Sequence, residues 1–276
     1  MHGLLCQNGR MFRVLRIALA LCAAVGLKAA DNRLTAEEQK AGWRLLFDGR
    51  TFANWEDPRR TSPPGDAFAI EAGCLKAVAH PKLQEDLLSL ASFGDFELEW
   101  DWKISPLGNT GMKYRIQDRV FVDKDPAIKF EDKVNAALRQ RASGRPAAGE
   151  RYTVSFEYQL VDNAGPDASR NGPSHGAAAL YDILAPTRVA TRPVGEFNHS
   201  RLVLRGKRVE HWLNGEQVVE ARLDGPEAAS NLGRRWGVGS PVYELLTGQP
   251  RTRCPIAIQN HGDAAWFKNI RIREIQ

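Results

Sequence analysis

A chain of 276 residues, 43% hydrophobic and 26% charged, has ordinary globular composition and room for one large domain or two small ones. Its formal charge of +5 is local, because residues 1–30 carry Arg10, Arg13, Arg16 and Lys28 and no acid. The remainder is close to neutral, so charge gives no reason to expect a nucleic-acid partner.

Arg10, Arg13 and Arg16 precede an apolar run of eleven residues, Ile17–Leu27, and Ala29-Ala30 offer small residues for cleavage. Residues 1–30 are therefore expected to be an export signal, which makes the mature protein periplasmic or secreted. The run is too short to span a bilayer, so no stable membrane insertion is expected after cleavage. Cys6 and Cys22 leave with the signal. Cys74 and Cys254 remain, open either to a disulfide in an oxidising compartment or to burial as free thiols.

Residues 31–41 read as a lead-in, in which Thr35 and Glu38 form a capping box for a short helix over Leu34–Lys40. Residues 42–276 read as one domain. Gly42–Arg50 suggests a strand ending in a turn, Phe68–Val78 a hairpin through Glu71-Ala72-Gly73, and Asp86–Ser89 a short strand. Phe96–Ile104 alternates apolar and polar residues for nine positions, the clearest strand in the chain. Gly108-Asn109-Thr110-Gly111 reads as a tight turn, followed by a strand over Met112–Ile116 with Lys113 and Arg115 on one face.

Past Asp118 the pattern changes. Phe130–Arg141 has helical spacing, and residues 119–150 read as a helical insertion, either a surface excursion or a lid. Phe156-Glu157-Tyr158-Gln159-Leu160-Val161 returns to strand periodicity, with Glu157 and Gln159 on one face and Asp162 closing it. That face either lines a cleft or is an ordinary solvated surface.

Gly165–Gly176 reads as a polar loop holding His175, and Ala177–Tyr181 as a strand of small residues. Phe197–Gly215 reads as a hairpin continued by Gln217–Ala221, Arg222–Gln249 as loop-rich, and Pro255–Gly262 with Ala265–Ile275 as the closing strands. The expected fold is all-β, an antiparallel jelly-roll β-sandwich with a short helical insertion. No Gly-rich phosphate loop or HExxH motif occurs.

The segments GWRLLFDGRTFANW, DFELEWDWKI, GNTGMKYRI, FEYQLVDN, GAAALYDI, VGEFNHSRLVLRGKRVEHWLNG and IAIQNHGDAAWFKNIRIREI occur in that order, and together they resemble the 3-keto-disaccharide hydrolase domain family. The resemblance implies a concanavalin A-like sandwich. It also implies an exported enzyme acting on glycosides whose sugar is already oxidised to a ketone, with hydrolases, lyases and hydratases among the relatives. Two departures stand out: Phe197 occupies a place usually held by Trp, and the 119–150 insertion is long.

A ketone acidifies the neighbouring C–H, so a general base can start a β-elimination that expels the glycosidic oxygen. This route needs a base, a stabiliser for the enolate and an acid for the leaving group. It does not need paired carboxylates. Glu157 is the candidate base or a metal ligand, and Lys113 and Arg115 are candidates to stabilise the enolate or bind hydroxyls. His175, His211 and His261 are candidate acid–base groups, since imidazole titrates near neutrality. Gln159, Gln259, Asn109, Asp162 and Tyr181 are candidates for sugar binding, with Trp55, Tyr114 and Trp212 as further stacking surfaces. Nothing suggests a nucleotide cofactor, but Glu157, Asp162 and a histidine could hold a divalent metal. The alternative to an enzyme is a non-catalytic, lectin-like carbohydrate-binding module.

Overall fold

Among the described residues, alternating side chains along twelve strands build two antiparallel sheets that bury their apolar faces against each other, a concanavalin A-like jelly-roll sandwich. The computed structural model describes residues 31–60, 65–123, 125–144 and 149–275, so the expected signal at 1–30 lies outside the described residues. The first strands are β1 (Arg44–Leu45), β2 (Phe68–Glu71), β3 (Cys74–Ala77), β4 (Leu87–Leu88) and β5 (Phe96–Ile104). Then come β6 (Asn109–Val122), β7 (Glu150–Val161), β8 (Asn198–Arg205), β9 (Arg208–Leu213) and β10 (Glu216–Arg222). β11 (Ala257–Ile258) and β12 (Ala265–Glu274) close the chain.

The larger sheet has the order β10-β9-β8-β5-β12-β3-β2, with β1 beside β12, and the smaller has β4-β11-β6-β7. β5 shows why the sandwich forms. Phe96, Leu98, Trp100, Trp102 and Ile104 face the core. Glu97, Glu99 and Asp101 on its other face meet Arg201, Arg271 and His199 across the sheet.

The capping box at Thr35 and Glu38 starts α1 (Ala36–Lys40). Several expectations shift in detail. Residues 109–111, expected in a turn, belong to β6, because the reversal is made earlier by Leu107, at φ 60°, and Gly108. Strands β6 and β7 stay paired out to Val122 and Glu150, so the insertion is the tip of one long hairpin, carrying α2 (Phe130–Ala142). The polar loop at 165–176 contains α3 (Pro166–Asn171). Residues 177–181 form no regular strand but bond along β7, where Ala178 N–H donates to Gln159 O and Tyr181 N–H to Glu157 O.

The stretch read as loop-rich holds α4 (Pro226–Trp236) and α5 (Pro241–Thr247). Both have proline at the first turn, where its missing N–H costs nothing, and glycine just past the end. Ala228, Leu232 and Trp236, four residues apart, are the buried stripe of α4. Asn135 ties the insertion down: its Nδ2 donates to Trp236 O at 3.2 Å, and its Oδ1 accepts from Val242 N at 3.1 Å. Of Pro255–Gly262, only Ala257–Ile258 pairs as a strand. Cys74 and Cys254 are buried free thiols, so the disulfide alternative does not hold. No helix among the described residues is long and apolar enough to cross a membrane.

Candidate active site

The smaller sheet turns Met112, Tyr114, Phe156, Tyr158, Leu160 and Ile258 toward the core. Its other face must then present Lys113, Glu157 and Gln159, the intervening residues of β6 and β7, with Gln259 directly after β11. A cavity of about 690 Å³ opens over that face, within the size range of small-molecule sites. Phe130 and Lys133 of the insertion, Tyr181, Arg235 of α4, Asp86 and His261 complete its walls.

Glu157 sits directly across from Lys113 in the β6–β7 register. Its carboxyl lies over Gly111, where a Cβ would fall 1.9 Å from Oε1, so this glycine makes room for the acid rather than forming a turn. Burial pushes the Glu157 carboxyl up to about 7, against the opposing pull of Lys113. Lys113 is 3% exposed and donates to Asp86 Oδ2 at 2.9 Å, with its ammonium 5.5 Å from the Tyr152 ring centre. Burial alone would lower its pKa, but the charges of Asp86 and Glu157 outweigh it and raise it, so Lys113 stays an ammonium at neutral pH. Such a floor joins a half-ionised carboxyl to a permanent cation.

Two amides complete the floor. Gln159 Nε2 donates to Asp167 Oδ2 at 2.9 Å and Asn109 Oδ1 at 3.3 Å, while its Oε1 has no donor among the described residues. Gln259 Oε1 likewise has none. His261 lies at the exposed rim, where surrounding protein lowers its pKa, leaving a neutral imidazole at pH 7.

Seven sequence-predicted residues therefore come together: Glu157, Lys113, His261, Gln159, Gln259, Tyr181 and Asn109. Four do not. Arg115 sits in a bulge between Tyr114 and Asp118, in the left-handed region at φ 51°. The slip sends its guanidinium to Asp95 Oδ1 (3.1 Å) and Gly206 O (2.8 Å), away from Lys113. His211, on the larger sheet, is fully buried: Nδ1 donates to Ala178 O at 2.9 Å, so Nε2 accepts from Tyr114 OH at 3.1 Å. Burial drops its pKa to about 4, and it is a neutral core group.

His175 stands behind the Tyr181 ring, between Asp167 and Asp182. Asp162 caps a turn by accepting from Leu107 N (2.8 Å) and Ala164 N (3.0 Å), and borders a separate 320 Å³ hollow. The metal set of Glu157, Asp162 and a histidine is thus not assembled, and no other such group of three occurs among the described residues. Trp55 and Tyr114 are core, and Trp212 stacks under Arg201 on the larger sheet.

Asp86, Tyr152 and Arg235 are site residues that sequence reasoning missed. Asp86 and Tyr152 act through pairings that only folding creates. The proline, apolar stripe and glycine of α4 were a legible signal for the helix that carries Arg235.

Fold and cavity together define an antiparallel β-sandwich whose smaller sheet carries a polar, acid-and-lysine floor under a cavity of small-molecule size. The chain belongs to the 3-keto-alpha-glucoside-1,2-lyase-like domain family, whose profile matches residues 42–273. It is 29% identical over 272 residues to a 3-keto-disaccharide hydrolase of Bacteroides thetaiotaomicron, covering 92% of this chain and 86% of the relative. A provisionally assigned glycosyl hydrolase of Parabacteroides distasonis superimposes with a TM-score of 0.65 at 25% identity, covering 90% of this chain and all of that one. A second protein from the same organism, at 20% identity and a TM-score of 0.57, covers 84% of this chain and 99% of its own, and bears on the fold alone.

Proposed function

We propose that this protein is an exported enzyme that cleaves 3-keto-glycosides by β-elimination, with water addition completing a net hydrolysis. The observation that carries the reading is the Glu157–Lys113 pair: a carboxyl with a pKa of about 7 facing a buried ammonium at the floor of a sugar-sized cavity. A general base works best when its pKa lies near the working pH. An enolate is best stabilised by a fixed cation shielded from water.

In this reading Glu157 removes the proton from the carbon between the ketone and the anomeric centre. The electron pair moves onto the ketone oxygen, where Lys113 balances the charge. When the enolate collapses, a double bond forms to the anomeric carbon and the bond to the glycosidic oxygen breaks. Protonated Glu157, or water near His261 at the rim, returns a proton to the leaving oxygen. Water then adds to the anomeric carbon. Phe130 and Tyr152, edge to face at 4.9 Å, give the leaving group an apolar wall. Export rests on the signal expected at residues 1–30, and carbohydrate as substrate on the family and the named relatives.

The test is aglycone release from matched glucosides and 3-keto-glucosides. Turnover of the ketone alone, with a transient enone absorbance and a loss of at least about a thousandfold in Glu157→Gln, is the expected result. Sugar binding without turnover of any ketone would show a lectin-like module instead.

A further inference from the structure

Beside the cavity floor lies a chain of polar groups, half-buried at Asp167 and His175, that the proposed chemistry does not use. Asp167, on α3, accepts four hydrogen bonds, two on each oxygen. Its Oδ1 takes Asn171 Nδ2 (2.7 Å) and His175 Nδ1 (3.1 Å). Its Oδ2 takes Gln159 Nε2 (2.9 Å) and Asn109 Nδ2 (3.1 Å). On the far side of the ring, His175 Nε2 meets Asp182 Oδ1 at 3.3 Å, and Asp182 also pairs with Arg234 (2.7 Å) and Arg235 (3.5 Å).

The imidazole thus lies between two carboxylates, with Tyr181 edge-on at 4.5 Å. Burial would lower its pKa, but the hydrogen bonds and charges of Asp167 and Asp182 outweigh it and lift the ring to about 9. Burial pushes the Asp167 carboxyl up, yet donation from His175 and Asn171 prevails and holds it below its ordinary value.

An ionised carboxylate can only accept. All three side-chain amides that touch Asp167, those of Asn171, Gln159 and Asn109, must therefore turn their NH₂ groups toward it, and this settles the orientation of Gln159. Its two N–H bonds go to Asp167 and Asn109, and its carbonyl oxygen is what remains. That oxygen belongs to a residue 1% exposed at the cavity floor and has no donor among the described residues. A buried acceptor left unmatched is costly.

We propose that Asp167 and His175 are positioning residues that lock the Gln159 amide with its oxygen toward the ligand, so that the site selects a sugar carrying a hydroxyl donor at the position Gln159 meets. The proposal rests on the carbohydrate reading above and adds a specificity to it. Asp167 and His175 do not touch the substrate. They act by denying Gln159 its flipped orientation.

The decisive variant is Asp167→Asn, whose amide can donate as well as accept and so frees Gln159 to flip. With a 3-keto-glucoside, KM is expected to rise about tenfold or more while kcat stays within about threefold. Analogues with single hydroxyls replaced by fluorine, which accepts but does not donate, probe the same contact. At one position the wild type should discriminate at least about tenfold against fluorine, and Asp167→Asn should lose most of that preference. An unchanged KM, or a discrimination equal in both proteins, overturns the proposal.

A second measurement needs neither turnover nor a variant. ¹⁵N NMR of wild-type His175 should show both ring nitrogens protonated at pH 8, with protected Gln159 side-chain N–H resonances. A neutral ring or an exchanging amide overturns the lock. If the wild type cleaves no 3-keto-glycoside, the functional reading falls while the NMR result still decides the lock.

Discussion

Replacing Glu157 with glutamine keeps the side chain's shape and removes its titration, so the variant should be more stable at alkaline pH and inactive. The ordinary pKa of 4.5 rises to about 7 in the fold. At about 1.4 kcal/mol per factor of ten, ionising Glu157 costs about 3 kcal/mol more in the native protein than in the unfolded chain. Below pH 4.5 the acid is protonated in both states, and variant and wild type should match. Between pH 4.5 and about 7 the unfolded chain has already released the proton that the native state keeps, so the wild type loses stability as pH rises. Above about 7 both states are ionised and the difference levels off at about 3 kcal/mol in favour of glutamine. Urea denaturation of both proteins from pH 4 to 8.5 measures this difference directly, and other titrating groups largely cancel in the comparison. A difference that stays flat with pH, or that favours the wild type at pH 8, would refute both the raised pKa and its use as a base.

The same carboxyl predicts that kcat/KM rises with pH through about 7 as Glu157 ionises. Because Lys113 is raised, no fall should follow until beyond the ordinary lysine range; a maximum below pH 7 would assign the base elsewhere. Gly111→Ala places a methyl 1.9 Å from the Glu157 carboxylate and should cost about 1–3 kcal/mol of stability and at least about tenfold in activity. Full activity in that variant would remove Glu157 from the chemistry. His211→Leu strips partners from Tyr114 OH and Ala178 O and should cost about 1–3 kcal/mol, with kcat nearly unchanged in protein kept below its melting point. Phe130→Ala should raise KM for a bulky aglycone more than for a methyl glycoside, since it removes one ring of the leaving-group wall. Equal effects on both substrates would place that wall elsewhere.

The period of two along single strands was enough to read much of this protein. Alternation in Phe96–Ile104 and Phe156–Val161 announced a sandwich with one apolar face per strand, and it put Glu157 beside Gln159 on the face away from the core. Capping chemistry was equally local, as Thr35 and Glu38 show. Periodicity says which residues of one strand share a side. It cannot say where pairing slips or which strand lies opposite. One bulge with Arg115 in the left-handed region carries that arginine away from Lys113, although the two are spaced to share a face. His211 looked as available as His261, but its strand belongs to the other sheet and turns inward. Asp86 reaches Lys113 across 27 residues of sequence, and Arg235 arrives from a helix 78 positions beyond Glu157. Those encounters depend on sheet order and on how the insertion packs against α4, interactions between distant segments that no local pattern encodes.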